Sequence, residues 1–180
     1  MKATGIVRRI DDLGRIVIPK EIRRTMRIRE GEPLEIFTES NGTVIFKKYS
    51  PIGELGEFAN QYVESLAKTT GLPCCISDKD AIIAVSGVPK RELTDKKLSP
   101  DAEKIMNEKS RFIASNSEKH VSIIDGSDNY KAGVIAPIVF EGDSIGTVMI
   151  LSPDGTQTFG DAESKLAEVA AGFLGRTMEQ

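Results

Sequence analysis

Tryptophan is absent from the 180-residue sequence, histidine occurs once, cysteine twice, and aromatic residues make up only 6% of it. One histidine, His120, in the polar stretch 115–120, gives acid–base or metal chemistry little to build on. No nucleophile elbow, phosphate loop or metal-ligand spacing accompanies it. Ser86-Gly87-Val88-Pro89 reads as a turn rather than a nucleophile, because no base is identifiable beside it. The expectation is therefore no catalytic residue, no metal site and no enzyme, with His120 an ordinary surface side chain. The two cysteines are adjacent, Cys74-Cys75, in an apolar segment. A bridge between neighbours is strained and a metal would need more ligands, so they read as two small buried residues of a cytosolic strand. No run approaches the roughly 18–20 apolar residues that span a bilayer. Met1-Lys2-Ala3-Thr4-Gly5 opens on charged and β-branched residues rather than a leader's apolar stretch. A cytoplasmic protein with no membrane partner is expected.

What is present is an ordinary globular composition, 39% hydrophobic and 28% charged, in a length that suggests one small and one medium domain. The net charge of −3 conceals an asymmetry: residues 1–50 hold 11 Lys and Arg against 7 Asp and Glu, a net +4, which leaves −7 for the remainder. A basic head on an acidic body focuses positive potential at one end, the pattern of a nucleic-acid binder.

Within the head, Thr4–Ile10 is rich in β-formers, Asp11-Asp12-Leu13-Gly14 supplies turn chemistry, and Arg15-Ile16-Val17-Ile18 is a second β run. Pro19 then suits the start of a helix running through Arg27 and ended by Gly31. On that helix Lys20, Arg23, Arg24 and Arg27 fall at i, i+3, i+4 and i+7, one cationic stripe opposite Ile22 and Met26. Leu34–Thr38 and Thr43–Lys47 flank Asn41-Gly42, a strong hairpin signal. Two hairpins around one short helix bury too little surface to be stable alone, so dimerisation is expected.

The string Ile10-Asp11-Asp12-Leu13-Gly14-Arg15-Ile16-Val17-Ile18-Pro19-Lys20-Glu21-Ile22-Arg23 resembles the signature of the AbrB-type swapped-hairpin DNA-binding domain of transition-state regulators. The resemblance implies a mostly β dimeric barrel of interleaved hairpins, with double-stranded DNA as partner. It also implies that Arg8, Arg15, Arg23 and Arg24 stand where that family contacts DNA, with Lys2, Arg9, Lys20 and Arg27 as second-rank candidates. Strand alternation by itself does not choose between Arg8, which shares a face with Ile6 and Ile10, and Arg9, which shares one with Val7.

In the body, Ser50-Pro51 caps a linking helix over 51–70, with Ile52, Leu55, Ala59, Tyr62 and Leu66 at helical spacing. A hairpin over 73–86, a short helix from Ser99 through Met106, β runs at 121–124, 132–140 and 144–150, and a closing helix from Asp161 follow. Ala162, Leu166, Val169, Ala170, Phe173 and Thr177 form the closing helix's apolar stripe. Helix, antiparallel sheet and helix make an α+β sandwich. The stretch 136–148 resembles the paired central strands of GAF domains, a family of small-molecule sensors and dimerisers. An AbrB-type head on a GAF-like body closed by Ala170-Ala171-Gly172-Phe173-Leu174 resembles the regulators of sporulation genes in endospore-forming bacteria. That resemblance implies domains at 1–50 and 51–180 and a nucleoid-associated activator or repressor; no cofactor is expected, and whether the GAF-like body takes an unidentified small molecule is left open by the sequence.

Both outer helices carry apolar residues beyond one narrow face, such as Phe58, Val63 and Leu174, which predicts a helix bundle between bodies. Dimers paired through 1–50 would then join into a tetramer through 51–70 and 161–178. The alternative is the antidote protein of a toxin–antitoxin pair, which shares the head but follows it with a disordered tail.

Overall fold

The computed structural model describes residues 4–114 and 119–178. The chain divides into two compact units, Met1–Tyr49 and Ser50–Gln180.

In the head, α1 (Lys20–Thr25) precedes a hairpin of β1 (Leu34–Thr38) and β2 (Val44–Lys48), registered from Leu34 opposite Lys48 to Thr38 opposite Val44. Its turn has three residues, closed by Glu39 N–H to Thr43 O at 2.9 Å and Gly42 N–H to Glu39 O at 3.0 Å. Gly42 sits at φ +86°, the left-handed position such turns reserve for glycine. The same geometry recurs earlier: Asp11 N–H bonds Arg15 O at 3.1 Å, Gly14 N–H bonds Asp11 O at 3.0 Å, and Gly14 has φ +76°.

The runs flanking this first turn were expected as strands, yet they form no ladder within the chain. Their apolar side chains lie open, Val7 at 86% and Val17 at 71% exposure. Among the described residues of the head only Pro19 is buried. A ladder needs a neighbouring strand, and among the described residues these runs pair neither with each other nor with the β1–β2 hairpin, and the head offers them almost no core.

The helix is shorter than its expected span. It ends at Thr25, and Arg27 takes a left-handed conformation, φ +53°, beneath an Ile28 N–H to Arg23 O bond of 2.8 Å. This is the Schellman closure, in which the residue past the cap turns left-handed. Arg27 therefore leaves the helical stripe that Lys20, Arg23 and Arg24 keep.

The body begins with α2 (Pro51–Glu54) and α3 (Gly56–Thr70), two helices broken at Leu55 rather than one. Ser50 caps α2, its Oγ accepting the Gly53 N–H at 3.2 Å and donating to Asp78 at 3.0 Å. Gly71 at φ +70° ends α3. The strands β3 (Cys74–Ser77), β4 (Ile82–Ser86), β5 (Phe112–Ile113), β6 (Val121–Ile124), β7 (Ser127–Phe140) and β8 (Asp143–Ser152) form one antiparallel sheet, ordered β4-β3-β8-β7-β5 with β6 also on β7. Helices α4 (Lys90–Leu93), α5 (Pro100–Asn107) and α6 (Asp161–Thr177) complete it.

Strand alternation sends successive residues to opposite faces, so Cys74 and Cys75 enter different cores. Cys74 joins Ile76, Val148 and Ile150 beneath α3 and α6. Cys75 joins Met149, Ile135 and Leu151 beneath α4 and α5. Both thiols are free and fully buried, and burial pushes Cys74 up to about 11. The buried hydroxyls among the described residues are paired, as in Ser77 Oγ with Thr147 Oγ1 at 2.7 Å and Ser144 Oγ donating to Met106 O at 2.7 Å.

The closing helix turns inward a face that shares only Ala170 with the expected stripe. Its buried residues are Ser164, Ala167, Ala170, Ala171, Leu174 and Gly175, whereas Ala162, Leu166, Val169 and Phe173 face outward. A Cβ at Gly175 would stand 2.3 Å from Val139 O, so α6 lies close on the sheet at this point and leaves no room there for a side chain. Val63 and Leu174, read as surplus, are fully buried. His120 is not a plain surface residue: it is partly buried with its ring edge-on to Phe159 at 5.8 Å.

Candidate nucleic-acid interface

Among the described basic candidates of the head, Arg8, Arg9, Arg15, Lys20, Arg23 and Arg24 are exposed and Arg27 is partly covered. Lys2 lies outside the described residues. Helix α1 brings together Lys20, Arg23 and Arg24. The two arginines occupy its last turn, where their charges suit the negative end of the helix dipole. No residue of α1 is buried, so its side chains are free to meet a ligand.

Arg15 is fixed by the first turn. Asp11 Oδ1 accepts the N–H groups of Leu13 and Arg15 at 3.0 and 2.8 Å, and Asp11 Oδ2 accepts Arg15 Nε at 2.8 Å. The Arg15 backbone N–H, then its guanidinium, hold the Asp11 carboxyl below the usual carboxylate range. Arg15 keeps its terminal nitrogens but shares its charge with a permanent anion, a pairing the sequence reading missed. The signal was present as an Asp four residues ahead of an Arg across a glycine turn. Arg8 and Arg9 lie in the open extended segment, and a single chain does not bring them onto a common structural element with α1.

Beside α1 the head carries an apolar groove of about 470 Å³ lined by Met26, Ile28, Phe37, Ile45 and Phe46. In the body a second apolar surface faces outward. Phe173 stacks on Phe58 and Tyr62 at centroid distances of 5.7 and 5.6 Å while remaining 41% exposed, and Val169 beside it is 65% exposed. Among the described residues there is no cluster of three metal-ligating side chains, and no helix is long and apolar enough to cross a membrane.

Comparison with known proteins separates the two units. Residues 54–179 match the family model described as stage V sporulation protein T C-terminal, transcription factor, and residues 7–53 match that of the MazE bacterial antitoxin. Stage V sporulation protein T of Bacillus subtilis (strain 168) is 53% identical over all of both chains. The transition state regulatory protein AbrB of the same organism is 55% identical over 51 residues, 28% of this chain and 52% of its own. The GAF domain of an Acinetobacter phosphoenolpyruvate-protein phosphotransferase superposes with a TM-score of 0.59 at 14% identity, over 72% of this chain and 88% of that one. This last likeness shows the fold of the body alone. An AbrB-like basic head followed by a GAF-like α+β body, at this identity over the full length, means that the chain belongs to the stage V sporulation protein T family of transcription factors.

Proposed function

We propose that the protein regulates sporulation genes by gripping double-stranded DNA with a dimer of heads at 1–50, and that the bodies at 51–180 join two such dimers into a tetramer. It is a bacterial, cytoplasmic, nucleoid-associated regulator, activating or repressing according to the gene, and not an enzyme. The observation that carries the dimer is how little the head buries: among its described residues Pro19 alone is buried, while open apolar runs and the groove beside α1 are what a swapped hairpin from a second head would cover. The outward apolar face of α3 and α6 supports the second contact. The patterned, fully packed body gives no support to the antidote reading, which needs a disordered tail. Any small-molecule ligand of the body is a further part of this proposal.

Arg8, Arg15, Arg23 and Arg24 carry the DNA contact, with Lys2, Arg9, Lys20 and Arg27 in support. Few base-reading amides accompany them, so recognition leans on DNA shape and the consensus is loose. Four arginines from each of two heads set a log–log salt slope of about −7. Titrating a fixed duplex by fluorescence anisotropy across a salt series tests the assignment. Arg23→Ala or Arg24→Ala should weaken binding on every sequence alike and flatten the slope by about 2. Parental affinity and slope would remove that residue from the interface.

A further inference from the structure

Helix α1 carries the basic residues, but none of its residues is buried and it is only six residues long. Helices of that length do not persist without support. Pro19, which is buried, holds its start. Its far end is held from β2. Lys48 Nζ donates to Arg27 O at 3.1 Å, the carbonyl just past the helix, and pairs with Glu32 Oε1 at 3.3 Å. The other carboxylate oxygen of Glu32 accepts the Arg29 N–H at 2.9 Å. The Lys48 and Glu32 side chains are only 21% and 11% exposed. Lys48 thus ends a strand in a basic head yet spends its ammonium inward, on the negative end of a helix and on a carboxylate.

We infer that Lys48, together with Glu32, is a positioning residue of the DNA-binding surface. The ammonium fixes the end of α1 against the β1–β2 hairpin, and so sets where Arg23 and Arg24 stand. The inference rests on the reading of α1 as a DNA contact. Pairing chemistry gives it a sign that plain electrostatics does not share. Neutralising Glu32 in a basic head makes the head more positive, which alone would tighten DNA binding. If Glu32 holds Lys48 in place, the same change weakens binding.

The test uses the full chain, one fixed duplex recovered by random-sequence selection on the parent, and a salt series run well below the melting temperature. Lys48→Met keeps the aliphatic stem and removes the ammonium. Glu32→Gln keeps an acceptor for the Arg29 N–H and removes the charge. Both should bind about tenfold more weakly than the parent, the scale of losing a charged hydrogen bond, with the salt slope unchanged. A slope flattened by about 2 in Lys48→Met would show that Lys48 itself neutralises phosphates, one from each head, and would overturn the inference. Parental affinity in both variants, with or without a lower melting temperature, would reduce the pair to a fold-stabilising contact and overturn it too. Should Lys48→Met fail to fold, the direction of change in Glu32→Gln decides alone: weaker binding supports the inference and tighter binding ends it. Arg23→Ala serves as the reference. If it leaves affinity and slope untouched, the DNA reading of α1 falls. If it lowers both while the other two variants match the parent, only the positioning role falls.

Discussion

Asp11 serves a turn and, in the proposed DNA interface, also offsets one of its charges. Its Oδ1 organises the turn by accepting two backbone N–H groups, while Oδ2 compensates the guanidinium that the site displays. Asp11→Asn separates the two roles, because the amide oxygen can still accept the N–H groups while the anion is gone. The expected outcome is DNA binding about two- to fivefold tighter at low salt, the gain fading as salt rises. Isothermal titration against a fixed duplex at two salt concentrations checks this, and unchanged affinity would mean that Arg15 stands away from the phosphates. Glycine turns and a dense run of arginines were legible in the sequence. The partnership of Asp11 with Arg15 was not, because it depends on the turn folding the chain back on itself.

At the scale of elements, α6 explains most of what the sequence concealed. Its apolar residues form two stripes, one of bulky Leu166, Val169 and Phe173 and one of Ala167, Ala170, Ala171 and Gly175. A hydropathy pattern favours the bulky stripe as the core-facing one. The sheet takes the smaller one, together with Leu174, because close approach to Val139 at Gly175 leaves no room there for a side chain. A paired substitution distinguishes the faces. Gly175→Ala forces a Cβ against backbone and should lower the stability of the body by about 1–3 kcal/mol, read by thermal or denaturant melting. Phe173→Glu lies on the outward face and should leave the body folded by circular dichroism, while light scattering on the full chain reports loss of the proposed tetramer. Unfolding by Phe173→Glu would mean that the ring belongs to the core. The helix α1 was misread for a related reason: Arg27 continues the i+7 spacing, and nothing in its identity announces the left-handed turn it adopts.

At the scale of the whole molecule, the charge asymmetry and the change from glycine-turn hairpins to a patterned α+β body were readable from composition and period alone. The contrast in packing was only partly so. The body closes a core on both faces of its sheet, whereas the head buries one described residue. A chain truncated after Tyr49 should therefore remain a dimer in which folding and pairing occur together, with a melting temperature that rises with protein concentration. It should bind DNA more weakly than the full chain, by roughly 10² to 10⁴ if two linked head pairs act together. Equal affinity of the two forms, measured on one duplex long enough for two head pairs, would leave the bodies no part in DNA binding.

In the proposed tetramer the same contrast would govern how copies are traded. A contact made by the outward side of an already folded helix can part and re-form without disturbing what lies beneath it. A contact that supplies a domain's missing interior can be broken only by melting that domain. When isotopically light and heavy pools of the protein are mixed, native mass spectrometry should soon show assemblies of two light and two heavy chains. Assemblies of one and three should appear only on the far slower timescale of head unfolding, so each pair of heads keeps the partner it folded with.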